Sequence, residues 1–140
     1  MSATETQHLI KIFCLFILFS FTSVATASQP AKVVIHINNP LKMTMLVNNV
    51  KNLRKTLGPD AVLKVVVNGP AVARFTSLSQ SRDQLDKLLE QNTEIAVCSF
   101  ALKNKNIVKT SLFSGTTYLE GGGAAKLVEL QQQGYAYIKP

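Results

Sequence analysis

The sequence predicts an α/β domain: a three-layer α/β/α sandwich on a mostly parallel sheet of about five strands, a flavodoxin-sized architecture. Three observations carry this. Short β-branched and apolar runs recur along the chain, KVVIHI at Lys32–Ile37, AVLKVVV at Ala61–Val67 and EIAVCS at Glu94–Ser99. Segments with helical spacing stand between them, which implies βαβ units with right-handed crossovers. The second run is nearly continuously apolar, as in strands covered on both faces.

Each element has its own local reason. After the first strand, Asn39 can cap a helix and Pro40 suits its first turn, where the missing N–H is not needed. Leu46, Val50, Leu53 and Leu57 then recur at helical steps, predicting a helix over Leu41–Leu57. Gly58-Pro59-Asp60 ends it. The second strand, Ala61–Val67, stops at Asn68-Gly69-Pro70. Ala71–Leu78 reads as a short helix at best. Ser81 can cap the next helix, whose apolar stripe is Leu85, Leu88 and Leu89, with Asn92 as its terminator. Cys98 falls at the carboxyl end of the third strand, and Phe100–Asn104 can start a short helix. Ile107–Leu112 and Phe113–Tyr118 carry no decisive pattern. Leu127, Val128 and Leu130 mark an amphipathic helix over Ala124–Gln133, ended by Gly134, and YAYI at Tyr135–Ile138 is a last strand.

The N-terminus reads as a secretory signal. Lys11 is the positive flank of IFCLFILFSF, Ile12–Phe21, an uncharged run. It is too short to span the roughly 30 Å hydrocarbon layer comfortably. Ala25-Thr26-Ala27 has the small-x-small form of a cleavage site. Residues 1–27 are therefore expected to leave as a signal peptide, with residues 28–140 as one mature domain in the periplasm or otherwise exported; an uncleaved anchor is the competing reading. Cys14 sits inside the apolar run, which argues against a lipoprotein. Its departure leaves Cys98 alone, so no internal disulfide can form and the core must hold the domain.

Composition bounds the function. With 46% hydrophobic and 16% charged residues, the chain can build a real core. The net charge of +7 stays with the mature part, because Glu5 and Lys11 cancel. The lysines are scattered, densest at Lys103, Lys105 and Lys109, with no aromatic interleaving of the kind that stacks bases. A solvated basic surface is the favoured reading, and no nucleic-acid partner is expected.

Cys98 is the candidate catalytic residue. In an open parallel sheet, ligands bind outside the carboxyl ends of the strands. A helix starting near Ser99 would favour the thiolate, the nucleophilic form, and Lys103 and Lys105 would add positive potential. The competing reading is a buried, inert cysteine, since free cysteine is among the most buried residue types. His36 has no Cys, His or Asp partner in an obvious pattern and reads as a structural histidine. No metal-ligand set, serine triad or phosphate loop is present, and no cofactor is expected. Gly121-Gly122-Gly123 reads as a flexible connection rather than an anion cradle. Gly69-Pro70 is expected near the same sheet edge as Cys98.

Taken in order, KVVIHI, LVNNVKNL, VLKVVVNGP, EIAVCSFALKNKNI and KLVELQQQGYAYIKP resemble the DsrE/DsrF-like family, whose members are linked to sulfur relay. The resemblance covers nearly the whole mature domain. It implies a parallel five-stranded α/β/α fold assembled as trimers or hexamers. It also implies a cysteine, here Cys98, that accepts a persulfide sulfur and passes it to a thiol or persulfide protein partner without a cofactor. It assigns no role to His36, Asn68 or Gly69. The family's sulfur carriers work in the cytoplasm, whereas this chain carries an export-type segment. Two functional expectations follow: an exported protein handling sulfane sulfur on Cys98, and a non-catalytic oligomeric binding or assembly module in which the cysteine is structural. Neither involves stable membrane insertion after cleavage of the signal.

Overall fold

The computed structural model describes residues 29–140; the predicted signal segment, its cleavage site, His8 and Cys14 lie outside the described residues. The chain runs β1 (Lys32–Ile37), α1 (Met43–Leu57), β2 (Val62–Val67), α2 (Arg82–Glu90), β3 (Thr93–Cys98), α3 (Ser99–Asn104), β4 (Thr116–Leu119), α4 (Gly123–Gln132) and β5 (Ala136–Ile138). Turns of 3-10 helix at Pro40–Lys42, Gly69–Phe75 and Lys109–Ser111 fill three of the connections. The five strands form one parallel sheet in the order β4-β3-β2-β1-β5. The predicted α/β/α sandwich is the observed fold.

The strand order explains an asymmetry between the two outer layers. From β1 to β4 the chain steps one strand at a time in one direction, and the last connection leaps back to lay β5 beside β1. Right-handed crossovers of opposite direction put their helices on opposite faces. The packing agrees. Ile35, Leu63, Val65, Ile95 and Val97 share one large core with Leu46 and Val50 of α1, Phe75 of the 3-10 turn, Leu85 and Leu88 of α2, and Leu102 of α3. The second face has Val34 and Val66 under Leu127 and Leu130 of α4. Each fully buried Val, Leu or Ile contributes about 1.5–3 kcal/mol, so the first face carries most of the stability.

The local chemistry matches several sequence signals. Asn39 Oδ1 accepts the Leu41 N–H at 2.9 Å, capping the 3-10 turn in which Pro40 stands first. That turn delays the α-helix to Met43. Arg54, near the end of α1, donates to the carbonyls of Gly58, Pro59, Ala61, Gln91 and Asn92 at 2.7–3.2 Å. Its planar fork ties the α1–β2 turn to the end of α2, which a lysine's single point of charge cannot do.

Other expectations need correction. Leu57, the last residue of α1, is partly exposed although it shares the helical face of Leu46, and Met43 and Val47 join the buried side. Val128 points away from the core, one position past Leu127 on α4. Ser81 precedes α2 but makes no side-chain cap, since its backbone is already near-helical at φ −93 and ψ 12. The undecided stretch before Tyr118 contains β4, an edge strand too short and too exposed to show an apolar run. Among the described residues, no helix is long and apolar enough to cross a membrane.

Candidate functional site

The carboxyl ends of the strands bring the candidate residues to one edge of the sheet. There a cleft of about 650 Å³ is lined by Asn38 after β1, Asn68 and Gly69 after β2, Cys98 ending β3, and Gly122 and Gly123 at the start of α4. Gly69-Pro70 does stand beside Cys98 here. Lys105 lines the cleft as well, whereas Lys103 is not among its lining residues. The chain's own bonds hold this edge together. Asn68 N–H donates to Ile37 O, Ala71 N–H donates to Asn38 O, and the Ser99 hydroxyl donates to Glu120 O at 3.0 Å, tying α3 to the loop before α4.

Cys98 combines both properties weighed from the sequence. It is only 6% exposed, packed where the sheet meets α3, yet it forms part of the cleft wall. The backbone immediately after it enters a helix, with Cys98 itself at the extended N-cap position, φ −66 and ψ 120.

Gly122 and Gly123 are shaped by close approach, whereas a Cβ on Gly121 would meet nothing within 4 Å, so the reading of a flexible connection is corrected at the last two glycines. Gly122 has φ +81, and a Cβ placed on it would lie 2.6 Å from Cδ2 of Phe100. A Cβ on Gly123 would stand 3.2 Å from Asn68 Cβ, 3.3 Å from Cys98 Cβ and 3.4 Å from Val66 Cγ1. Glycine here lets the first turn of α4 descend onto the strand ends. Its leading N–H groups have no intrahelical partner, and Gly122 supplies no side-chain cap. Gly122, Gly123, Ala124 and Ala125 line the same cleft as Cys98, and a helix N-terminus suits an anion.

On the second face of the sheet, His36 has partners that the sequence did not reveal. His36 is buried, at 8% exposure, and is hydrogen-bonded at both ring nitrogens. Nδ1 lies 2.7 Å from the Tyr137 hydroxyl and Nε2 lies 2.8 Å from Asn68 Oδ1. Since Oδ1 only accepts, Nε2 carries the proton, and Nδ1 accepts from Tyr137. His36 is thus structural in its packing, as read, but its partners reach the cleft through Asn68. The signal was hidden because Tyr137 is 101 residues away in sequence. On the same face Lys64 pairs with Glu94 at 2.6 Å beside the Tyr135 ring. Partial burial pulls the Lys64 ammonium down, but the hydrogen bond and attraction of Glu94 outweigh it and hold the group above its ordinary 10.5.

No family model matches the chain. No curated protein matches it either. Solved structures do. The chain is similar to a protein of unknown function, MTH1491 from Methanobacterium thermoautotrophicum, with 26% identity and a TM-score of 0.73, over 79% of this chain and 99% of that one. It is similar in fold to the ychN protein from E. coli, at 18% identity and TM-score 0.64 over 79% and 99% of the two chains. The protein of unknown function BT1422 from Bacteroides thetaiotaomicron matches at 17% identity and TM-score 0.64, over 82% and 99%. These likenesses span almost the whole of each neighbour and establish the chain as an α/β domain of the fold that these proteins share.

Proposed function

We propose that this chain is an exported DsrE-like protein that handles sulfane sulfur through a persulfide on Cys98. One observation carries the reading: the lone described cysteine stands at the carboxyl end of β3, in the wall of a cleft that the first turn of α4 also lines. The family resemblance of the sequence supports it. The chemistry needs no cofactor. The Cys98 thiolate attacks the outer sulfur of a donor R–S–SH; the new S–S bond forms as the donor's breaks, and RS⁻ leaves. An acceptor thiolate then repeats the attack on the outer sulfur of Cys98–S–SH and regenerates the Cys98 thiolate. The transferred sulfur keeps its oxidation state throughout, so no oxidant or reductant is consumed. The backbone donors of α4 suit the negative charge that the persulfide carries when ionised.

The test is loading. Native protein incubated with glutathione persulfide gains about 32 Da, one sulfur atom, on Cys98, and Cys98→Ser does not. A wild-type protein that gains nothing while folded would remove the reading.

A second reading, a non-catalytic assembly module, draws on a different observation. Among the described residues α4 is the one helix over the second sheet face, and Tyr137 of β5 and Val128 of α4 are 41% and 56% exposed. On that reading Cys98 is inert in the native state, and thiol reagents label it only after unfolding.

A further inference from the structure

The register places four side chains on one diagonal of the second sheet face. Tyr137 is level with Val34 on the neighbouring strand, two residues before His36. His36 is level with Val66, two residues before Asn68. Val67 is level with Val97, so Asn68 and Cys98 follow them side by side at the carboxyl ends of β2 and β3. Side chains two apart in a strand share a face. The line Tyr137, His36, Asn68, Cys98 therefore climbs across β5, β1, β2 and β3 to the cleft. Two of its three links are hydrogen bonds, of 2.7 and 2.8 Å. The third is proximity: a single point, the Cβ position of Gly123, lies 3.2 Å from Asn68 Cβ and 3.3 Å from Cys98 Cβ.

We infer that Asn68 is the side-chain donor to the anionic sulfur on Cys98, thiolate or persulfide, and that His36 and Tyr137 are positioning residues that fix its orientation. An asparagine amide can present either its oxygen or its N–H₂ group. His36 decides which. Its Nε2–H occupies Oδ1, and the Tyr137 hydroxyl holds the tautomer by donating to Nδ1. Nδ2 is left for the cleft that Asn68 lines, and among the described residues no hydrogen bond uses it. With the amide reversed, Oδ1 would face the sulfur and repel an anion. The buried histidine, which the transfer chemistry itself does not use, prevents that reversal. The inference rests on the proposed reaction for its purpose, but the donor geometry stands independently of which sulfur compound is carried.

The test compares two rates in the same set of variants at one neutral pH: alkylation of Cys98 by iodoacetamide, and sulfur loading from glutathione persulfide. A hydrogen bond to a charged group contributes about 1.5–3 kcal/mol. Asn68→Ala is therefore expected to slow alkylation by roughly 10- to 100-fold. His36→Leu, which frees the amide to reverse, slows it severalfold, and Tyr137→Phe slows it less. His36→Gln, whose side-chain N–H₂ can still occupy Oδ1, restores a rate near wild type. Circular dichroism and melting temperature confirm that each variant is folded, and the difference between His36→Gln and His36→Leu separates orientation from packing. Equal alkylation rates in wild type and Asn68→Ala overturn the inference, as does a native Cys98 that does not react at all. If alkylation follows the expected order while no variant loads sulfur, the donor role stands and the sulfur-handling function falls.

Discussion

Gly122→Ala probes the feature that closes the cleft. Two costs follow from the structure. With φ +81 and ψ 161 the residue sits in a region open essentially only to glycine, where an L-residue costs about 1–3 kcal/mol. The new methyl would also stand 2.6 and 2.7 Å from Cδ2 and Cε2 of Phe100, so the ring must move by most of an ångström. Phe100 is 55% exposed, so the ring can swing toward solvent at a cost of about 0.5–1.5 kcal/mol. The stiffer unfolded chain returns about 0.4–1 kcal/mol. The net destabilisation is about 2 kcal/mol, which lowers the melting temperature by roughly 8 °C in a domain of this size. Thermal unfolding by circular dichroism measures it, and a double-mutant cycle with Phe100→Ala divides it. Without the ring, Gly122→Ala keeps only its backbone cost, so the two substitutions are expected to couple by about 1 kcal/mol. Because the displaced ring lines the cleft, Cys98 alkylation should also quicken. A melting temperature within a degree or two of wild type, or an additive cycle, would refute the argument that backbone and ring together require glycine here.

Three further outcomes are expected. Arg54→Lys should cost about 2–4 kcal/mol in urea unfolding, because it loses most of five bonds to carbonyls on two separate turns; a loss below about 0.5 kcal/mol would show that the clamp is dispensable. Among the described residues the buried Thr93 Oγ1 has no partner, so Thr93→Val should raise stability by roughly 1 kcal/mol, and a lowered stability would show that the hydroxyl has a partner. Lys64 has a raised folded-state value, so its pairing with Glu94 stabilises fully below the ordinary 10.5 and is lost as pH rises through the higher folded value. The stability difference between wild type and Glu94→Gln should accordingly be small but measurable near neutral pH and vanish at strongly alkaline pH. A difference that persists there would point to a cause other than the ion pair.

The fold was legible because its strands are buried on both faces and therefore spelled in β-branched runs. Val33 to Ile37 and Val65 to Val67 are buried almost without interruption. β4 was not legible, since an edge strand of four residues with half-exposed side chains carries no such run. Strand order was not legible either: nothing local in YAYI says that it returns to lie beside β1, yet that return puts α4 on the second face and sets Tyr137 next to His36. The site was half legible. Cys98 and Gly69-Pro70 could be placed at one edge because each follows an apolar run, and Asn68 carried the same signal, an Asn directly after VLKVVV. Gly122 and Gly123 were misread because the need for glycine there comes from Phe100, Asn68 and Cys98, all distant in sequence.

The central claim is that Cys98 carries sulfur reversibly in the folded protein. The direct measurement loads the native protein with glutathione persulfide, removes the donor, adds a small-molecule thiol and follows intact mass against time. The account predicts that the added mass of one sulfur, about 32 Da, is gained on Cys98, is lost to the acceptor with first-order kinetics, and never forms in Cys98→Ser. A Cys98 that gains sulfur only after unfolding, or that holds it against excess thiol, would contradict the account.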